Sequence, residues 1–299
     1  NLPANVYALI ESDGKDLRFT TDSSGSTQIP FEIVTITPGS SLCEIWVKVP
    51  TVDFDANTVI YVWGDNPSAS ALAENDTYGA QNVWASAFKV VRHLQANSND
   101  STANNLDGTD TSITYGTGQI KNGAGFNVGT DKIESAYATF TTAYTVSFWI
   151  NSASADTAVG VTQPMGNGST NDTHGFSWDH PSAGFRRAFY QQNSSSAYFS
   201  ADYTTGFSAN TWYYLTAKWT GTNLRIYRNG TYDKQVAVSS IKALAGNLTL
   251  RWGGTSSTTD EFWFRNDAPS DDWITTVYNN QSSPSTFWVT VKSHSASPS

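Results

Sequence analysis

The chain has 299 residues and a formal net charge of −9, with only 14% charged residues against 38% hydrophobic and 13% aromatic ones. An acidic surface, with a pI near 4.8, repels a phosphate backbone and excludes nucleic acid as a partner. No apolar stretch reaches the roughly 20 residues of a membrane span, while 11 Trp, 14 Tyr and 15 Phe are enough to bury a core and exclude disorder.

From Lys15 to Trp63 the text DLRFT, IPFEIVTI, LCEIWVKVP and TVIYVWG reads as four short strands, with TDSSGST and TPGSS as turns between them. Cys43, the single cysteine, cannot form an internal disulfide and reads as a small apolar strand residue. Asp65 to Asn82 is rich in small and polar residues with Pro67 early, the composition of a linker or a short helix. From Val83 the strand pattern resumes with KVVRHLQ, GQIKNGAGFNV, AYTVSFWINS, GFSWDH, FRRAFYQQ and AYFSADY, and continues through NLTLRWGG to DEFWFRND.

The clearest local text is TWYYLTAKWTGTNLRIYRNGTYDKQV, Thr211 to Val236. Trp212, Tyr214, Thr216 and Lys218 alternate with Tyr213, Leu215, Ala217 and Trp219, the period of two of a half-buried antiparallel strand. Thr220-Gly221-Thr222 and Asn229-Gly230-Thr231 supply turns, so the segment predicts a three-stranded meander. Only PSDDWITTVYNNQ reads as helix, with Ser270 as N-cap and Asp271 and Asp272 in the first turn. The expectation is an all-β chain: a small β-sandwich domain at 1–74, a linker at 75–82, a two-sheet antiparallel jelly roll at 83–292 and a polar tail at 293–299.

The segment SDGKDLRFTTDSSGSTQIPFEI, with WVKVP and TVIYVWGDNPSA, resembles the bacterial and phage domain of unknown function DUF2341. The rest, on RHLQ followed by DSTANNLDGT, then GAGFNV, TWYYLTAKWTGTNLRIYRNG and DEFWFRNDAPSDDWITTVYNNQSSPSTF, resembles the concanavalin A-like lectin/glucanase superfamily in its laminin-G-like form. The first resemblance implies further strands upstream of the LPANVYALIESDG segment, supplied by removed chain or a partner, or else missing so that an edge stays open. The second implies a sandwich used for glycan or cell-surface recognition.

Chemistry is sparse. Retaining hydrolases of this fold set their acids in an E-x-D-x-x-E strand, and no such pattern occurs; Asp260 with Glu261, and Glu11 with Asp13 and Asp16, read as caps. His93 reads as a packed residue with one hydrogen bond, and none of the four His sits in a lyase-type strand. The chain is therefore read as non-enzymatic. The loop NSNDSTANNLDGTD offers Asp100, Asn104, Asn105, Asp107 and Asp110 as hard oxygen ligands, and the laminin-G resemblance implies one structural calcium ion there; the alternative is an Asx-turn loop whose side chains cap its own backbone. Trp178, His180, Phe185, Arg186, Arg187 and Tyr190 crowd around a Pro-Ser-Ala-Gly turn, aromatic faces and planar donors of the kind that hold sugar rings and carboxylates. Trp252 before a Gly-rich loop is a second candidate contact. The expected protein is an extracellular recognition or adhesion module, on a phage virion or exported by a bacterium, that binds glycans or surface polysaccharide and other subunits. A ligand-free fibre or capsid decoration is the alternative.

Overall fold

The computed structural model describes residues 7, 9–37, 42–53, 55–127, 129–137, 143–153, 174–177, 188–242, 246–251 and 256–287; of 174–177, Leu42, Tyr137, Ala188 and Tyr190 it describes the backbone alone. The tail at 293–299 lies outside them. The chain divides into two compact units, one of residues 1–86, 101–103 and 283–299, the other of 87–100 and 104–282.

In the first unit β1 (Arg18–Thr20), β2 (Phe31–Thr37), β3 (Leu42–Val47) and β4 (Tyr61–Trp63) pair antiparallel as β1 with β4 and β2 with β3. Leu17, Phe19, Ile29 and Phe31 are buried together, the two Phe rings 5.2 Å apart. The SDG motif explains itself mechanically. Gly14 stands at φ +70°, where a Cβ would also come within 2.8 Å of Ile33 Cδ1, so a side chain there is strained and crowded. Buried Asp16 accepts the Glu11 N–H on one oxygen and the Asp65 N–H on the other, both at 2.9 Å. Trp63 Nε1 donates to Thr20 Oγ1 at 2.9 Å, fastening β4 to β1. After β4 the chain returns to β2, with the Phe31 N–H donating to Tyr78 O, and ends in a single 3-10 turn at Ala80–Asn82.

The second unit runs through β5 (Phe88–Arg92), β6 (Thr109–Thr111), β7 (Thr114–Thr117), β8 (Asn122–Phe126), β9 (Lys132–Tyr137), β10 (Tyr144–Ser152), β11 (His174–Ser177), β12 (Ala188–Gln192) and β13 (Tyr198–Asp202). It continues with β14 (Trp212–Trp219), β15 (Asn223–Arg228), β16 (Thr231–Ala237), β17 (Gly246–Arg251) and β18 (Ser257–Arg265) before helix α1 (Asp271–Ser282). Among the described residues a large sheet takes the order β16-β15-β14-β10-β18-β8-β7 with β5 also on β18, and smaller sheets take β11-β12-β13 and β17-β9-β6. Every pairing is antiparallel.

Period-two alternation puts Val146, Phe148 and Ile150 of β10, Leu215 and Ala217 of β14, and Phe262 and Phe264 of β18 on one face. They bury against Phe189, Ala201, Ile133, Leu248 and Leu250 of the smaller sheets. Each Val, Leu, Ile or Phe among them contributes about 1.5–3 kcal/mol. The Tyr144 hydroxyl, buried in that core, donates to Gln191 Oε1 at 2.7 Å.

The meander forms as its text predicts. Asn229 and Gly230 take φ of 51° and 73°, the left-handed pair of a tight hairpin. The half-buried expectation for β14 fails, however, because Tyr214, Thr216 and Lys218 are buried as well. Helix α1 covers them. Ser270 caps it through Trp273 N–H (3.1 Å), Trp149 Nε1 donates to Gln281 Oε1 (2.5 Å), and Lys218 Nζ donates to Pro269 O and Asp271 Oδ1 (2.7 and 2.5 Å). Arg265 lies 4.4 Å and 4.3 Å from the Phe88 and Trp273 ring centroids, a cation–π sandwich between sheet and helix.

Candidate functional site

The face of the large sheet that α1 covers carries a hollow of about 310 Å³ towards its β7 edge. Register builds it: Thr114 of β7, Gly125 of β8, Thr258 of β18 and Asn151 of β10 lie side by side across four strands. Their neighbours Ala124, Phe126 and Ile150 point into the core, so this row points out of it. Gly116 and Gly123 pair one step along and complete a floor of backbone. Asn127, Ala153, Asn210 and Ser256 form the rim. Among the described residues, Asp, Glu, Lys, Arg and His are absent from the lining.

The acids of this unit serve the fold. Asp260 Oδ2 accepts the Ile120 N–H at 2.7 Å. Glu261, fully buried at φ +50°, sits where β18 shifts register on β10; its carboxylate meets His93 Nδ1 at 2.8 Å and accepts Trp263 Nε1 at 3.0 Å. Neither has the solvent contact expected of a surface cap. His93 makes the expected hydrogen bond from a buried position.

The loop expected to hold calcium packs against a buried guanidinium. Asp100 accepts the Val91 and Leu106 N–H groups (3.0 and 2.9 Å) and Asp107 accepts the Asp100 N–H (2.8 Å). Asp110 accepts Ser98 Oγ and the Tyr115 hydroxyl (2.5 and 2.6 Å), while Asn104 Nδ2 donates to Phe88 O and Lys89 O (both 3.2 Å). Beneath them Arg92, with no exposed surface, donates Nε to Ser98 O (3.1 Å) and Nη2 to Leu106 O and Ser135 Oγ (2.9 and 2.6 Å). Burial lowers its guanidinium pKa to about 10 against the opposing pull of Asp100, Asp107 and Asp110. The loop's carboxylates thus accept amides and hydroxyls, and the carbonyls of Ser98 and Leu106 accept the guanidinium.

Trp178, His180, Phe185, Arg186, Arg187 and Trp252 lie outside the described residues, and of Tyr190 only the backbone, paired with Ser200, is described. The hollow was overlooked in the sequence. Its signal was there in TYGTGQIKNGAGF, since glycines at alternate strand positions mark a face left open to close approach.

The architecture is that of lectin-like binding domains. The chain belongs to the concanavalin A-like lectin/glucanases superfamily, whose model matches residues 123–275, and the domain of unknown function DUF2341 matches residues 13–83; both resemblances read from the sequence are thus borne out. No curated protein matches. Among solved structures, the binding domain of Paraclostridial Mosquitocidal Protein 1 matches 61% of this chain and 49% of its own at 14% identity and a TM-score of 0.52. The receptor binding domain of botulinum neurotoxin C/D mosaic serotype matches 65% and 51% at 15% identity and 0.53. Domain 4 of AbnA, a GH43 extracellular arabinanase from Geobacillus stearothermophilus solved in complex with arabinotriose, matches 64% of this chain and 98% of its own at 17% identity and 0.51. The chain therefore spans about half the length of the toxin binding domains it matches. At these identities the likeness is one of fold. No helix among the described residues is long and apolar enough to cross a membrane.

Proposed function

We propose that this protein is a non-catalytic recognition module that binds glycans at a cell surface, outside the cell, carried on a phage virion or exported by a bacterium. The observation that carries the reading is the hollow on the large sheet. It is a concave surface whose described residues line it with hydroxyls, carboxamides and backbone and place no carboxylate or imidazole there for acid–base work. The similarity to domain 4 of AbnA, solved with arabinotriose, and to toxin binding domains supports the same use of the fold. Trp178, His180, Arg186, Arg187, Tyr190 and Trp252 are proposed as further contacts on their chemistry, the two Arg for sugar carboxylate or sulfate.

A glycan array with the full chain, run beside a reducing-end assay on the glycans that bind, tests the proposal. Binding without product is expected. Release of reducing ends or unsaturated sugars would overturn the non-catalytic part. A blank array together with a multimer in solution would favour a structural virion component.

A further inference from the structure

We infer that the hollow on the large sheet is itself the glycan-contact surface and that it selects an uncharged oligosaccharide; the inference rests on the glycan reading above and names its ligand class. The first ground is hydrogen-bonding capacity held in reserve. The carboxamides of Asn127, Asn151 and Asn210, and the hydroxyls of Thr114, Thr117, Thr258 and Ser256, have no hydrogen-bond partner among the described residues. Elsewhere in the unit such groups are consumed: Asn104 and Asn122 donate to backbone carbonyls, and Asn193 and Asn229 accept backbone N–H groups. A carboxamide presents two donors and an acceptor, which matches a sugar hydroxyl in either role.

Charge is the second ground. In a chain of net −9, the described residues of the lining offer no cation to a carboxylate or sulfate and no anion to an amine, so a charged sugar would surrender hydration to them without a counter-charge. Neutral hydroxyls lose little.

The third ground is shape. A Cβ on Gly125 would stand 2.8 Å from Thr114 Oγ1, and one on Gly123 2.8 Å from Thr259 O, whereas one on Gly116 would meet nothing within 4 Å. Two floor glycines are thus held by packing, but the third leaves backbone bare towards solvent, where a flat ring can approach closely. The volume of about 310 Å³ lies at the small end of the roughly 300–1,000 Å³ of ligand sites, suited to a short stretch of a chain that continues beyond it.

Gly116 also gives the test, because a large side chain there fills the hollow from a position with room for it. The full chain is titrated calorimetrically with arabinotriose, maltotriose and cellotriose as neutral probes and with sialyllactose as the acidic one. The expected result is binding of at least one neutral trisaccharide, weakened about tenfold or more, or about 1.4 kcal/mol, in Gly116→Trp at an unchanged melting temperature. Asn151→Ala and Asn127→Ala, which disturb no internal bond, should each weaken it about threefold or more and serve if Gly116→Trp does not fold. Unchanged neutral binding in all three variants, or binding of sialyllactose alone, would overturn the hollow as the site while leaving glycan recognition standing. Failure of every probe here and of every glycan on the array would overturn both.

Discussion

Replacing Arg92 with Met tests the proposal that a guanidinium organises the loop from Asn97 to Asp110 without a metal ion. Met is similar in length and apolar, so the change removes the charge without opening a large void. Three hydrogen bonds are lost, to Ser98 O, Leu106 O and Ser135 Oγ. At about 1.5 kcal/mol for each charge-assisted bond this is about 4.5 kcal/mol, of which packing beside the Phe262 ring, now 5.9 Å from the guanidinium, restores a part. A net loss of about 3–4 kcal/mol lowers the melting temperature by about 6–16 °C, at 2–4 °C per kcal/mol for a domain of this size. Calorimetric melting with added calcium and with a chelator supplies the second arm. The wild type should melt within about 1 °C in both, since an ion that does not bind the folded state cannot stabilise it. A variant melting within about 2 °C of the wild type, or a wild type raised several degrees by calcium, would refute the reasoning.

Two further outcomes are expected. Burial raises the pKa of Asp271, but the hydrogen bonds from Lys218 and Tyr227 and the charges of Lys218 and Arg225 outweigh it and hold the carboxyl below its ordinary value. A depressed folded-state value adds stability above the unfolded-state value near 4 and loses it as pH falls through the folded one. Asp271→Asn should therefore flatten the acid limb of a stability–pH profile measured by urea unfolding, and parallel profiles would contradict this. In the first unit, Asp16→Ala strands the buried carboxylate's two partners, the Glu11 and Asp65 N–H groups, and should cost about 2–4 kcal/mol in the unfolding transition of that unit while leaving glycan binding intact; coincident melting curves would show the clamp to be dispensable.

Much of the architecture was written locally. Asn229-Gly230 encodes its turn because left-handed backbone costs these residues little, and Ser270 before two acids marks a helix start because it satisfies an orphan amide. The SDG motif is equally legible as text, though its meaning was not: that Asp16 reaches Asp65, 49 residues on, depends on where β4 returns. The candidate site was harder to read. Aromatic and Arg density drew the eye to Trp178 and Arg187, while the hollow is assembled from Thr114, Gly125, Thr258 and Asn151, ordinary residues far apart along the chain.

What the sequence by itself determined is the all-β class, the division of residues between sheet faces and the local turns and caps, since each depends on neighbours within a few positions. Tertiary structure decided which sheet face α1 would bury, which acids would be spent on backbone amides, and that Arg92 would sit beneath the acidic loop. Those outcomes depend on strand order and register, which bring distant residues to a few ångströms of one another, and periodicity carries no record of which strand lies beside which.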